Sequence, residues 1–204
     1  MNASNSRNLK KITLPKGHRF VREPLHFDGD LVIKGSAAEC DITAVGHIVI
    51  HGDVRSSKIC SQEGSVFLLH NVSDGANITA ALNVYAYDVL KGIIRAAGDV
   101  IIESSSIASR VEAGNAILSE SPDGLIMDST LTAEKSVTLT TVGSRKPGSR
   151  VKIVVNSPEG FFSFGKLSPT VEISIGPITT EICEEETAGK AIVSGDRIVI
   201  EDSV

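Results

Sequence analysis

The segment Ile42-Thr43-Ala44-Val45-Gly46-His47-Ile48-Val49-Ile50 contains a motif that recurs at intervals of 16 to 18 residues along the middle of the chain. The motif consists of an apolar residue, any residue, Ala or Ser, one or two further residues, Gly, a polar residue and then alternating apolar residues. Its other copies lie at 29–33, 59–68, 78–86, 94–102 and 111–118. A fixed period of this length is typical of a repeat architecture.

Each copy alternates Ile or Val with other residues, which is the pattern of a β-strand, and it is too short to hold a helix and two strands. A unit of this kind cannot bury its apolar side chains alone, so successive copies must stack as parallel strands about 4.8 Å apart. The sequence therefore predicts an all-β fold, a single-stranded parallel β-helix of about seven or eight coils of 16–18 residues and roughly 30 Å in length.

Composition divides the chain into three parts. We expect a basic N-terminal arm and cap at 1–27, the β-helix at 28–155, and a small C-terminal β module or cap at 156–204. The last part contains Pro158, Pro169, Pro177 and half of the six phenylalanines of the chain, so its pattern differs from that of the repeats.

Alignment of the copies predicts two columns of inward side chains. The first column contains the pairs Leu31/Ile33, Ile48/Ile50, Val66/Leu68, Val84/Ala86, Val100/Ile102 and Ala116/Leu118. The second contains Ile42/Ala44, Ile59/Ser61, Ile78/Ala80, Ile94/Ala96, Val111/Ala113 and Leu131/Ala133. Gly at 29, 46, 64, 98 and 114 marks the bend between them, and the corner before Gly114 contains one residue fewer than the others.

The residue between the two inward residues of the first column must point outward, and in this chain it is apolar. The predicted stripe consists of Val32, Val49, Phe67, Tyr85, Ile101 and Ile117. A continuous apolar column on an outer surface indicates a contact surface. Two interpretations stay open: a protein partner or a second copy of the chain binds there, or the C-terminal module covers it with Phe161, Phe162 and Phe164.

The N-terminal arm carries a local excess of positive charge, although the whole chain has a formal net charge of −5. Residues 1–24 contain one acid, Glu23, and the basic residues Arg7, Lys10, Lys11, Lys16, Arg19 and Arg22. Three interpretations stay open. The arm is a solvated tail whose part 12–27 covers the open end of the first coil, or it contacts anionic lipid or nucleic acid, or it contacts the acidic body of another copy. Phe20 is its only aromatic residue, so no specific nucleic-acid partner is expected.

Catalytic and cofactor motifs are missing from the sequence. It has no Gly-x-Ser-x-Gly, Walker loop or His-Glu-x-x-His, and the outward positions lack the clustered carboxylates of polysaccharide-cleaving β-helices. His47, His51 and His70 are expected at the surface as solvated side chains, so we predict no catalytic residue, cofactor or metal site. An enzyme built on a β-helix stays open as a remote alternative.

The cysteines and the absence of apolar segments bear on the compartment. Cys40, Cys60 and Cys183 are an odd number without Cys-x-x-Cys spacing, which favours reduced thiols. The sequence has no run of 18 apolar residues and no signal peptide. We therefore expect a cytoplasmic protein, at the membrane periphery if the arm binds lipid.

The Gly-Asp/Asn-Val/Ile bend, the preceding Ile-x-Ala-x-Gly step and the tail Val171-Glu172-Ile173-Ser174-Ile175-Gly176 resemble the β-helical part of the bacterial flagellar assembly protein A family. This resemblance covers roughly residues 28–200. It implies a right-handed β-helix that acts as a protein-binding scaffold in flagellar or cell-surface assembly, with homo-oligomers expected and no enzymatic activity. The chain is similar in fewer features to bactofilins, which implies the alternative of a self-polymerising cytoskeletal element.

Overall fold

The computed structural model describes residues 10–16, 24–119, 121–144, 146 and 148–202, and every regular element within them is a β-strand. The strands are β1 Lys10–Leu14, β2 Leu25–Phe27, β3 Gly29–Ile33, β4 Ala37–Ala38, β5 Asp41–Ala44, β6 Ile48–Ile50, β7 Val54–Arg55, β8 Lys58–Ser61, β9 Val66–Ser73, β10 Asn77–Ala80, β11 Val84–Leu90, β12 Ile93–Ala96, β13 Val100–Ile102, β14 Ser105–Ile107, β15 Arg110–Ala113, β16 Ala116–Ser119, β17 Leu125–Met127, β18 Thr130–Ala133, β19 Ser136–Val142, β20 Val151–Val155, β21 Phe161–Leu167, β22 Val171–Ile175, β23 Ile178–Ile182, β24 Glu186–Ser194 and β25 Arg197–Asp202. The predicted all-β class is confirmed.

The chain winds as a solenoid whose coils have three sides, named here faces A, C and B in the order in which the chain reaches them. In one coil β3 lies on face A, β4 on face C and β5 on face B, and the next coil repeats this order with β6, β7 and β8. Face A joins β1, β3, β6, β9, β11, β13, β16, β19 and β21 in parallel. Face B joins β2, β5, β8, β10, β12, β15, β18, β20 and β22 in the same way.

The described residues therefore form about nine coils, and at about 4.8 Å per coil the stack is about 38 Å long. The parallel β-helix is confirmed. The predicted number of coils, seven or eight, is too low because it leaves out coils at the ends of the stack. The handedness of the β-helix stays a prediction.

The core is the interior of the three-sided tube. The inward pairs predicted for face B are all buried, and so are those predicted for face A up to Val100/Ile102. Face C adds a third inward column that the sequence did not reveal: Ala37, Val54, Val72, Val89, Ser106, Ile126, Val142 and Leu167. Four of the strands on face C have only two or three residues, which is too short for alternation to be visible.

The inward pair predicted from Ala116 and Leu118 is wrong, because the corner before β16 is not shortened. Ala96 pairs with Ala113 and Val100 pairs with Ile117, so this coil advances by 17 residues at both places. Gly114 lies beside Ala97, one position earlier in the corner than the other glycines. A one-residue slip reverses the side of every following side chain. Ile117 therefore points into the core and Leu118 points outward.

The corner between faces B and A holds a ladder of polar side chains. The carboxylate Oδ1 of Asp30 accepts a hydrogen bond from the His47 amide at 2.7 Å, and Nδ1 of His47 accepts one from the Ser65 amide at 3.0 Å. Farther along, Oδ1 of Asn83 accepts from the Asp99 amide at 2.8 Å. The polar residue of the motif thus satisfies an amide of the next coil that the bend leaves without a strand partner.

The corner between faces C and B uses a different device. In most coils one residue takes a positive φ at this corner, as in Ser56 with 46° and Ala108 with 51°, and a small buried residue follows it. At three of these corners the residue is a serine whose hydroxyl accepts from a backbone amide of the preceding coil: Ser57 from Cys40 at 3.2 Å, Ser109 from Gly92 at 3.2 Å and Ser129 from Ser109 at 3.1 Å. All three cysteines are free, and burial raises the pKa of the Cys40 thiol.

Parallel pairing extends past the predicted boundary at residue 155. Strands β21 and β22 continue faces A and B, and only β23, β24 and β25 run antiparallel to their neighbours. Phe162 and Phe164 point into the core as the last inward residues of face A. The last parallel strand of the solenoid therefore ends at Ile175, and the antiparallel strands after it form the cap.

The predicted N-terminal arm also contributes a coil. Strand β1 pairs in parallel with β3, which places Ile12 beside Leu31 and Leu14 beside Ile33, and β2 pairs with β5. The first coil therefore lies within 10–27, inside the segment predicted as arm and cap. Ile12 is 40% exposed because it lies in the terminal coil of the stack.

Candidate interaction surface

Face A presents one apolar side chain per coil to the outside over six successive coils. Strand pairing aligns them in one column, which we call the apolar stripe: Val32, Val49, Phe67, Tyr85, Ile101 and Leu118. Tyr85 is 36% exposed and the other five are half-buried. Thr13 and Thr138 lie in the same column at its two ends. A column of this composition is unusual for a surface in contact with water only.

Five of the six residues predicted for this column belong to it. The sixth, Ile117, is fully buried, and Leu118 takes its place beside Ile101. The step from Ile101 to Leu118 is 17 residues, but steps of 16 and 18 residues also occur along the column, so spacing in the sequence alone does not identify Leu118.

Two aromatic rings form the centre of the apolar stripe. The rings of Phe67 and Tyr85 are stacked with centroids 4.7 Å apart and an angle of 5° between their planes. Their strands are adjacent and in register, so the spacing of the coils sets the spacing of the rings. The ring of His47 lies 6.3 Å from Phe67 in a tilted orientation. The stacked pair is a rigid apolar platform.

A groove of about 360 Å³ adjoins this platform. It is lined by Leu68, Leu69, Tyr85, Ala86, Ile101, Ile102, Glu103 and Leu118. Ala86 is smaller than the Leu68 and Ile102 that precede and follow it in the inward column. Within β11 the passage from face A to face C after Ala86 is also one residue shorter than the equivalent passage after Leu68 in β9, which produces the irregular register between the two strands. Leu69 projects at this irregularity and is 47% exposed.

The C-terminal segment does not take the place predicted for it over the stripe. Phe162 and Phe164 are buried in the core, with ring centroids 5.3 Å apart, and Phe161 is half-buried beneath the ammonium group of Lys190. Strands β24 and β25 extend the sheet of face A beyond β21. The prediction that the three phenylalanines cover the stripe is wrong.

Face B is polar where face A is apolar. Its equivalent outward column reads Thr43, Cys60, Thr79, Arg95, Glu112 and Thr132. Arg95 donates to Glu112 at 2.9 Å, and Arg110 donates to the other carboxylate oxygen of the same residue. The two faces have the same backbone geometry, so the difference lies in the choice of outward side chains.

Acid is expected to weaken the Glu112 cluster. Burial favours the neutral carboxyl, but the hydrogen bonds from Arg110 and Arg95 outweigh it and hold the pKa of Glu112 below its ordinary value. A carboxyl with a lowered folded-state pKa stabilises the fold above its unfolded-state pKa, and this stabilisation is lost as pH falls through the folded-state pKa. Between about pH 6 and about pH 3, wild type should therefore lose more stability than Glu112→Gln, by under about 1 kcal/mol because solvent screens the pair. Urea unfolding at both pH values measures it, and an equal loss in the two proteins would contradict it.

The candidate histidines do not converge on a site. His47 is a member of the polar ladder, Nε2 of His51 lies 3.4 Å from the Lys34 ammonium group, and His70 is exposed. Among the described residues, no group of three or more His, Cys, Asp or Glu side chains is arranged to hold a metal ion.

The basic residues of the N-terminal segment are described only in part. Lys10 and Lys11 belong to β1, Lys16 follows it, and the side chains of Lys11 and Lys16 are exposed. Arg7, Arg19 and Arg22 lie outside the described residues. In the described ranges, no helix has the length and apolar character needed to cross a membrane.

Comparison with known proteins identifies one family. The family model of the Flagellar Assembly Protein A beta solenoid domain matches residues 24–160. Searches of the curated proteins and of the solved structures gave no match. The matched range contains the whole apolar stripe.

Proposed function

Because this chain belongs to the flagellar assembly protein A family through its β-solenoid domain, we propose that it is a non-catalytic bacterial scaffold whose apolar stripe binds a protein in flagellar or cell-surface assembly. The observation that carries the proposal is the contrast between the outward columns of faces A and B. Interface centres are poor in charged residues and rich in aromatic ones, as the stripe is with Phe67 and Tyr85. Face B, with its ion pairs, has the composition of a solvated surface.

The polar side chains also support a role without catalysis. Asp30, Asn83 and Asp99 use their side-chain oxygens to accept from backbone amides of the next coil. Glu112 is held between two arginines. These groups have structural roles in the stacking of the coils, and general acid-base chemistry would need a group available to a substrate.

A second copy of the chain is an alternative partner for the stripe, and end-to-end polymerisation is the alternative function. The antiparallel strands β23, β24 and β25 at the C-terminal end favour a discrete rod, because capping elements of this kind interrupt the parallel stacking that a filament continues. We further propose a cytoplasmic protein whose exposed Lys11 and Lys16 contact anionic lipid.

The double substitution Phe67→Glu with Tyr85→Glu should abolish the function while the coils stay folded. Both side chains lie outside the core, so two carboxylates there oppose an apolar partner but leave the inward columns intact. If light scattering shows that the wild type self-associates, we expect this variant to associate more weakly by about tenfold or more. In a host that carries this gene, we expect the strain with the double substitution to form a swimming zone in soft agar that is as small as the zone of a strain from which the gene is deleted.

The matched control is Thr43→Glu with Thr79→Glu, which adds the same charge at equivalent outward positions of face B. It should retain both association and swimming. If deletion of the gene leaves swimming unchanged, the flagellar role is wrong. If the stripe variant behaves as wild type in both assays, the stripe is not the contact surface. Filaments in electron micrographs of the face A variant would support the polymer alternative.

A further inference from the structure

The size of the apolar stripe limits what can occupy it. The five steps of about 4.8 Å between the six coils give a length of about 24 Å, and one outward side chain per coil gives a width of about 10 Å. The resulting area of roughly 240 Å² is well below the roughly 800 Å² per partner of a stable protein interface. Two flat rods joined by their stripes alone would therefore bury too little, and a narrow ligand suits the stripe better.

The spacing of the stripe distinguishes between narrow ligands. An α-helix that lies along the rod presents one side chain per turn to it, every 5.4 Å or so, which is close to the coil spacing of about 4.8 Å. An extended strand presents same-side residues about 6.7 Å apart and loses register within two coils. A helix of about 16 residues spans the stripe from Val32 to Leu118.

The groove supplies an anchor point for such a helix. Its volume of about 360 Å³ lies at the lower end of the range for small-molecule sites, which suits one or two large side chains of a partner. It opens beside Tyr85 and Ile101, so a side chain seated in it belongs to the same helix face that contacts the stripe. Partly buried aromatic centres with an adjoining pocket are where interface energy concentrates.

The charges around the groove indicate the character of the helix flanks. Asp99 and Glu103 precede and follow β13, two residues before and two residues after Ile101. Glu103 is exposed and lines the groove, whose other lining residues are apolar. We infer that the ligand of the apolar stripe is an amphipathic α-helix with basic flanks in a partner protein; this inference rests on the scaffold function proposed above.

The test uses two synthetic peptides of about 18 residues with the same Leu, Ala and Lys content. In one peptide the leucines recur at helical spacing, at positions i, i+3, i+4 and i+7, so that they lie on one face of a helix. In the other peptide the leucines occupy alternate positions, as on one face of a strand. Fluorescence anisotropy with the full chain should show that the Kd of the helically spaced peptide is lower than that of the alternating peptide by about tenfold or more. Tyr85→Ser should raise that Kd about tenfold, whereas Leu90→Ser should leave it within about twofold. Leu90 is a matched control because it is 44% exposed and lies on face C.

Charge is tested separately with Glu103→Gln, which should weaken binding of the helically spaced peptide several-fold at low salt and less at high salt. Equal binding of the two peptides, or no binding of either, would overturn the helix inference. It would also be overturned if wild type forms a dimer that Tyr85→Ser dissociates, since a second copy then occupies the stripe. The scaffold function is tested by the swimming assay, so it can survive each of these results.

Discussion

Phe162→Ala is expected to lower the free energy of unfolding by about 4 kcal/mol. Phe162 is fully buried and is among the largest side chains of the core. It follows Val137 in the inward column of face A and packs against Phe164, with ring centroids 5.3 Å apart. The antiparallel cap lies directly beyond it, so the surrounding backbone has strand partners on both sides and cannot easily collapse into the cavity.

Phe161→Ala is the matched control, because it removes the same group one residue earlier in the same strand. Phe161 points outward, is half-buried, and has the Lys190 nitrogen 4.2 Å from the centre of its ring. Its removal should cost about 1 kcal/mol. Urea unfolding followed by circular dichroism measures both. A smaller loss for Phe162→Ala than for Phe161→Ala would mean that this strand is not the last coil of the core.

The sequence was sufficient to predict the coils wherever a strand has three or more residues with alternating character. Faces A and B meet this condition, and their inward pairs from Leu31/Ile33 to Val100/Ile102 and from Ile42/Ala44 to Leu131/Ala133 are buried. Face C does not, since strands such as Ala37–Ala38 and Val54–Arg55 have one inward residue each. Its contribution to the core was therefore invisible in the pattern.

The end coils were missed for a different reason. Strand β1 begins with Lys10 and Lys11, so composition identified it as a basic arm, although Ile12 and Leu14 continue the inward column of face A. Strand β21 contains three phenylalanines in a chain that otherwise has few rings, so composition identified it as a covering segment. Strand pairing, which sequence composition does not report, assigns both to the solenoid.

The candidate surface was predictable in position but not in its full composition. Val32, Val49, Phe67, Tyr85 and Ile101 follow from alternation alone. The groove depends on the small size of Ala86 relative to Leu68 and on the register irregularity between β9 and β11, and both become visible only when the coils are stacked. Leu118 depends on how the corner at Gly114 is aligned.

Ile117→Ala should lower the free energy of unfolding by about 3 kcal/mol, and Leu118→Ala by less than about 1 kcal/mol. Ile117 is fully buried beside Val100, whereas Leu118 lies beside Ile101 on the outer side of face A. The difference follows from strand pairing at this corner, where Ala113 lies beside Ala96 and Ile117 lies beside Val100. The corner therefore keeps its full length, and Ile117 points inward.

Leu118→Ala should instead raise the Kd of the helically spaced peptide several-fold, because it shortens one end of the apolar stripe and removes part of the groove wall. Ile117→Ala should leave that Kd within about twofold for the protein that stays folded. Unfolding by urea and peptide anisotropy on the same two variants separate a core role from a surface role. The opposite result, with Leu118→Ala the more destabilising variant, would mean that the corner is one residue shorter and that the glycines at 98 and 114 occupy equivalent positions.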